Sequence, residues 1–201
     1  TMTENKTISL DLPRNTYTLT IDKNDAFVTE VTGAGTYRWG ETVAISAVVS
    51  TGNRFVSWSQ TAGTTSSFAD ATSATTTFTM PTSDATIYAD AEVIPAHDIT
   101  VNLASGVTGI TFENTDYETQ TITPATATDN HDGTYTGIVS LREGVEYNIT
   151  AALEEHYNFT SWSTSPNGTL ASTTTNPTTY TVTDAATLDV TSQIENFTCT
   201  K

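Results

Sequence analysis

Two hexapeptides, RFVSWS at Arg54–Ser59 and NFTSWS at Asn158–Ser163, share the pattern F-x-S-W-S at an offset of 104 residues. The pattern takes two of the three tryptophans in the chain. An internal repeat constrains the fold strongly, because each copy must be a unit with an apolar face to bury. The match runs without a gap from Tyr37 to Ser59. It sets Arg38 on Arg142, Gly40 on Gly144, Ile45 on Ile149, Ala47 on Ala151, Phe55 on Phe159 and Trp58 on Trp162. Downstream the offset slips by a residue or two, and Phe78, Met80 and Thr86-Ile87 meet Tyr180, Val182 and Thr187-Leu188. Upstream, Tyr17–Ile21 aligns with Asp98–Leu103 only if the second copy carries an insertion of about 20 residues. The chain therefore reads as two diverged copies of one module.

Period-2 alternation sets the class. In Thr42–Val49, the residues Val43, Ile45, Ala47 and Val49 share one face, and Tyr147, Ile149 and Ala151 do so in the second copy. Such alternation marks half-buried strands. About a quarter of the 201 residues are Thr, a β-branched residue suited to strands, and no segment shows a helical period. Further strands are expected at Tyr17–Asp22, Phe27–Val31, Phe55–Ser59, Thr75–Met80 and Thr86–Val93. The second copy offers Ile99–Leu103, Gly109–Phe112, Thr134–Ser140, Phe159–Ser163, Tyr180–Thr183 and Thr187–Thr191. Gly-containing turns follow each F-x-S-W-S strand, as in a hairpin. The expected architecture is all-β, two tandem small sandwich-like β-domains with an extra N-terminal strand. Its boundaries are an extension over 1–15, module one over 16–94, module two with its insertion over 98–192, and a tail over 193–201. Pro95 marks the break.

Strict alternation puts Phe55 and Phe159 on one face of their strands and Trp58 and Trp162, three residues on, on the other. A Trp repeated in a small domain is a core anchor, because burying it removes roughly 150–250 Å² from water. Phe55, Trp58, Phe159 and Trp162 are the expected structural core. Trp39 is replaced by Glu143 in the other copy, so Tyr37 and Trp39 are the candidate stacking platform for a carbohydrate.

The run Gly33-x-Gly35-x-Tyr37-x-x-Gly40-x-x-Val43-x-Ile45-x-Ala47, then Gly52-x-x-Phe55-x-x-Trp58-Ser59, then Phe78-Thr-Met-Pro81-x-x-Asp84-x-Thr-Ile-Tyr88-Ala89 resembles the divergent internalin-type B-repeat. Copy two keeps Gly144, Ile149, Ala151, Phe159 and Trp162 but lacks the Met-Pro. The resemblance implies a module found in tandem in bacterial and archaeal secreted and surface proteins, serving as spacer, stalk or adhesive repeat. It implies a β-grasp-like fold with a short helix as the alternative architecture, and it brings no catalytic residues.

Charge and chemistry narrow the function. The formal net charge is −16, yet only 15% of residues are charged. Three Lys and four Arg, scattered, cannot make a nucleic-acid surface. No run of 18 apolar residues would span a membrane. Cys199 is alone, so no intrachain disulfide forms. His97, in the linker, and His131 and His156, in turns, lack metal-ligand spacing. No cofactor or metal is expected, and Asp129-Asn130-His131-Asp132-Gly133 reads as a turn. At the N-terminus, Lys6–Leu12 alternates with Ile8, Leu10 and Leu12 on one face and belongs to neither repeat. It is the expected assembly strand. The sequence thus reads as a non-catalytic extracellular or cell-surface structural protein, a filament or appendage subunit assembling through β-strand pairing. Its expected partners are further copies in a head-to-tail polymer or other surface proteins. The alternative is a carbohydrate-binding or adhesin stalk module.

Overall fold

A computed structural model describes residues 15–195. Ile8, Leu10, Leu12, Cys199 and the expected N-terminal strand lie outside the described residues. The chain divides into two compact units, one ending at Val93 and the other beginning at Ile94. Each is built from two facing β-sheets, and among the described residues there is no helix.

Unit 1 contains β1 (Thr16–Lys23), β2 (Val28–Thr32), β3 (Gly35–Arg38), β4 (Thr42–Val49), β5 (Asn53–Ala62), β6 (Thr75–Thr79) and β7 (Ala85–Val93). One sheet runs in the order β3-β1-β7-β5 and the other β2-β4-β6. The first and last strands, β1 and β7, are parallel neighbours, with Leu19 opposite Ala85 and Ile21 opposite Ile87. The unit is therefore closed by its own ends. Between the sheets lie Leu19, Val28, Val43, Ile45, Trp58, Phe78, Met80 and Ile87, all buried.

Unit 2 contains β8 (Ala96–Leu103), β9 (Val107–Asn114), β10 (Tyr117–Ile122), β11 (Thr128–Asp129), β12 (Tyr135–Arg142), β13 (Glu146–Leu153), β14 (Tyr157–Ser165), β15 (Thr169–Leu170), β16 (Thr178–Thr181) and β17 (Ala186–Ile194). Its sheets run β11-β12-β8-β17-β14 and β10-β9-β13-β16-β15. Removing β10, β11 and β15 leaves the connectivity of unit 1, down to the parallel pair, here β8 and β17. In unit 1 two residues, Gly33 and Ala34, carry the chain from β2 to β3. A Cβ on Gly33 would lie 2.5 Å from the Ala44 carbonyl oxygen, and its φ of +106° already favours glycine. In unit 2 that step is replaced by residues 115–134, which hold β10 and β11.

Three local expectations change. The F-x-S-W-S strand does not form a hairpin with the segment after it. β5 pairs with β7 and β14 with β17, because the intervening segment crosses to the other sheet. Strict alternation fails as well. The register slips by one residue between Phe55 and Ser57, and again between Phe159 and Ser161. Val56 and Thr160 are thus bulge residues, and a bulge shifts the phase of every side chain beyond it. Phe and Trp, three apart, then meet on the core side, with ring centroids 5.5 Å apart in unit 1 and 5.4 Å in unit 2. Last, Gln193 and Ile194 are not tail. They continue β17 opposite Asn158 and Tyr157, as Val93 continues β7 opposite Asn53. Likewise β8 starts at Ala96, two residues before the expected module boundary.

Each tryptophan also holds the crossing segment. The Trp58 backbone N–H donates to the Ala71 carbonyl at 2.7 Å, and its indole N–H donates to the Ser73 carbonyl at 3.0 Å. Trp162 does the same to Thr173 at 2.8 Å and Thr175 at 3.0 Å. Trp58 is 3% exposed and Trp162 1%. Trp58→Ala or Trp162→Ala is expected to cost about 3–5 kcal/mol. Trp→Phe, which keeps most of the apolar surface but strands a carbonyl, should cost about 1–3 kcal/mol. Urea unfolding followed by unit-resolved amide signals checks both, and each loss should fall on the unit that carries the change.

The cores differ in one titratable pair. Tyr147 and Tyr180 are cross-strand neighbours in unit 2, where unit 1 has Val43 and Phe78. Burial pushes both phenols above their ordinary value, partly offset by the Arg142 N–H at Tyr147 and by the Thr164 hydroxyl at Tyr180. A raised folded pKa means the stabilisation is complete below the unfolded value and is lost as pH rises through the folded one. Unit 2 should therefore lose stability before unit 1 above about pH 10. Tyr180→Phe should move that transition to higher pH in an alkaline titration of the amide spectrum.

Candidate functional site

The described surface offers strand edges and one bare aromatic, Trp39. A sheet edge is a row of unpaired backbone donors and acceptors, and proteins normally cover it. In unit 2 the inserted segment covers two such edges. β10 pairs along β9, with Ile122 entering the core, and β11 pairs along β12. In unit 1 the equivalent strands β2 and β3 are edge strands, and among the described residues nothing pairs with their outer sides. The opposite edge, at β6, is partly covered by the crossing segment, whose Ala69 N–H reaches the Thr77 carbonyl at 2.9 Å.

The two candidate platform aromatics have different roles. Tyr37 lies in β3, packs on the core and donates its hydroxyl to the Gly33 carbonyl at 2.9 Å. Trp39 stands in the turn after β3, 53% exposed. A stacking surface there rests on Trp39 alone. The next residue, Gly40, has a φ of +76°, as Gly144 has +70°, with open space where a Cβ would sit. Backbone conformation, not crowding, explains that repeated glycine. Phe55 and Phe159 are half-buried against the core beside their tryptophans.

His97 is not in a linker. It lies in β8, its Nε2 3.3 Å from a Glu143 carboxylate oxygen and its Nδ1 3.3 Å from Asp184. The same corner holds the chain entering unit 2. Arg142 donates from Nη1 to the Ile94 carbonyl at 3.0 Å, and the Glu143 N–H donates to Pro95 at 2.8 Å. His131 and His156 occupy turns with φ of 65° and 72°. Asp132 closes its own turn by accepting from the Thr134 N–H and hydroxyl, and Asp70 does the same with Thr72. These bonds hold both carboxyls below the usual range. Among the described residues no group of three or more His, Cys, Asp and Glu is placed to hold a metal ion. No described helix is long and apolar enough to cross a membrane.

Both repeats now have the same strand order, bulge and tryptophan bonding, and a family model agrees with them. The divergent InlB B-repeat domain matches residues 14–94 and 123–193. The chain belongs to the divergent InlB B-repeat family. The second B-repeat match begins after β8, β9 and β10, yet β8 and β9 occupy the places of β1 and β2, so the structural repeat extends further back than the sequence match. Among curated proteins none matches the chain. Among solved structures, two crystal structures of a C-terminal fragment of the pilus adhesin SpaC from Lactobacillus rhamnosus GG align with it. One, iodide-soaked, gives 12% identity, a TM-score of 0.36 and coverage of 92% of this chain and 99% of that one. The other gives 11% identity, a TM-score of 0.37 and coverage of 92% and 100%. At these values the likeness identifies no shared function.

The two aromatics separate in a simple experiment. Tyr37→Phe removes the bond to Gly33 and should cost about 1 kcal/mol. Trp39→Ala should change stability by less than about 0.5 kcal/mol. Parallel urea titrations of the two variants check this.

Proposed function

We propose that this chain is a non-catalytic part of an extracellular, cell-surface appendage, in which tandem B-repeats act as structural or adhesive units. The observation that carries the reading is the pair of same-topology repeats of a surface-repeat family in one chain. The finer proposal is assembly by strand donation. Lys6–Leu12 of one copy would add to the outer edge of β2 in unit 1 of a neighbouring copy, the place that β10 fills in unit 2. One of Ile8, Leu10 and Leu12 would then take the position of Ile122. Burying three aliphatic side chains contributes roughly 4–8 kcal/mol before ordering costs. A head-to-tail contact of this kind builds a filament where its rotation does not close a ring. The net charge of −16 opposes association, so added salt should favour it.

Light scattering and electron microscopy on the full chain and on a form lacking residues 1–12 test the proposal. Polymers from the full chain, strengthened by salt, and a folded monomer from the shortened one are the expected result. A full chain that stays monomeric at high concentration, or a shortened one that polymerises equally, overturns strand donation and leaves a stalk module. Exposure of Trp39 favours the second reading, an adhesive module with a carbohydrate contact on unit 1.

A further inference from the structure

The insertion in unit 2 does more than cover edges. Thr126, Thr128 and Asn130 of the insertion line a hollow at the β11 side of the β11-β12-β8-β17-β14 sheet, and Asn130 also lines a second, both open to solvent. The first, of about 640 Å³, is lined by Thr100, Thr126, Thr128, Asn130, Thr136, Gly137 and Ile138. The second, of about 550 Å³, adds Asn102, Thr134, Ser163, Asp189 and Thr191 together with the apolar Leu103, Ala104 and Val190, and shares Asn130 with the first.

A directed chain of hydrogen bonds crosses this face. The Asn130 side-chain amide donates to the Thr136 hydroxyl at 3.1 Å, Thr136 donates to the Asn102 side-chain Oδ1 at 3.0 Å, and the Asn102 Nδ2 donates to Asp189 at 2.7 Å. Ser163 donates to the other Asp189 oxygen at 3.3 Å. These groups are fixed before any ligand arrives, which lowers the ordering cost of binding. Unit 1 has no counterpart. The places of Asn102 and Asp189 are taken there by Asp22 and Tyr88, and the inserted wall is missing.

The lining selects a ligand class. Hydroxyls and carboxamides both donate and accept, as sugar hydroxyls do. Among the described lining residues Asp189 carries the only charge, and its carboxylate keeps acceptor capacity beyond the two bonds it receives. No described Lys or Arg lines either hollow to hold a phosphate, sulfate or uronate, and the net charge of −16 repels anions. Ile138, 64% exposed, supplies an apolar contact for the C–H face of a ring. We infer that this face of unit 2 binds a neutral oligosaccharide laid across the strands from Ile138 and Thr100 towards Asp189 and Thr191. The inference is independent of strand donation and places the sugar contact away from Trp39. Without an aromatic ring to stack on, affinity is on the order of 1 mM per site and gains strength through repetition of sites.

The test is a titration of the full chain with maltohexaose, cellohexaose and chitohexaose, followed by amide chemical shifts, with hexagalacturonate as the anionic control. The expected result is saturable shifts with at least one neutral sugar, clustered at Thr100, Asn102, Thr126–Asn130, Thr136 and Asp189–Thr191, and none with the control. Thr136→Val keeps a strand-forming residue and breaks the bond chain, and should weaken binding at least about tenfold. Asn130→Ala, at an exposed position, should weaken it without disturbing the fold. Absence of shifts on this face with all three sugars at about 20 mM, well above that Kd, overturns the inference. So do shifts centred on Trp39, or undiminished binding by folded Thr136→Val and Asn130→Ala proteins.

Discussion

In each unit one tryptophan holds three things at once: a strand, the core and the segment that crosses between sheets. Its indole fills the space between the sheets, and its two N–H groups take carbonyls two residues apart on the crossing segment. That segment has little apolar content of its own. Without the tryptophan bonds, the link from β5 to β6 would have to find other partners for carbonyls beside the core, and a buried unpaired carbonyl is costly. The bulge before the tryptophan serves the same end. By inserting Val56 or Thr160, it brings the preceding phenylalanine onto the core side, where the two rings pack at about 5.5 Å. The spacing in F-x-S-W is therefore a bulge signature, with the variable residue as the extra one.

The parallel pairing of first and last strands gives each unit its mechanical logic. Load applied at the ends of unit 1 enters through β1 and leaves through β7, which lie side by side and share a ladder from Leu19–Ala85 to Lys23–Ala89. Pulling on such a pair shears several hydrogen bonds together instead of unzipping them singly. Unit 2 repeats the arrangement with β8 and β17. This suits the structural role proposed for the chain as part of an appendage or stalk.

The two units diverge where function is proposed. Unit 1 keeps a two-residue step at Gly33-Ala34 and leaves β2 and β3 as edges. Unit 2 spends its insertion on covering those edges, enlarging its core with Ile122 and walling a hydroxyl-lined face. One topology thus carries two different surfaces, and duplication with a single insertion is enough to separate them. Low charge density with abundant Thr makes this workable, because hydroxyls keep the faces wet without the repulsion that more carboxylates would add.

The repeat and the all-β class came from the chain alone. Alternation in Thr42–Val49 and Val145–Ala152 is a local property of side-chain period, so the strands and their buried faces were legible there. Glycine spacing and the F-x-S-W-S offset likewise need only sequence. Short strands such as β3, β10 and β15 were not legible, since a few Thr- and Tyr-bearing residues carry no period of their own. Neither was the partner of β5: hydrogen-bonded pairing depends on which sheet the crossing segment reaches, and that is decided by the whole core. The bulge escaped alternation because it is defined by the absence of a residue on the facing strand. The roles of Tyr37, His97 and Asn130 emerged only from the fold, which brings Gly33, Glu143 and Thr136 to them. Sequence determined what each segment could become, through the period and shape of its side chains. Tertiary structure decided which segments meet, because pairing and edge exposure are properties of the assembled sheets.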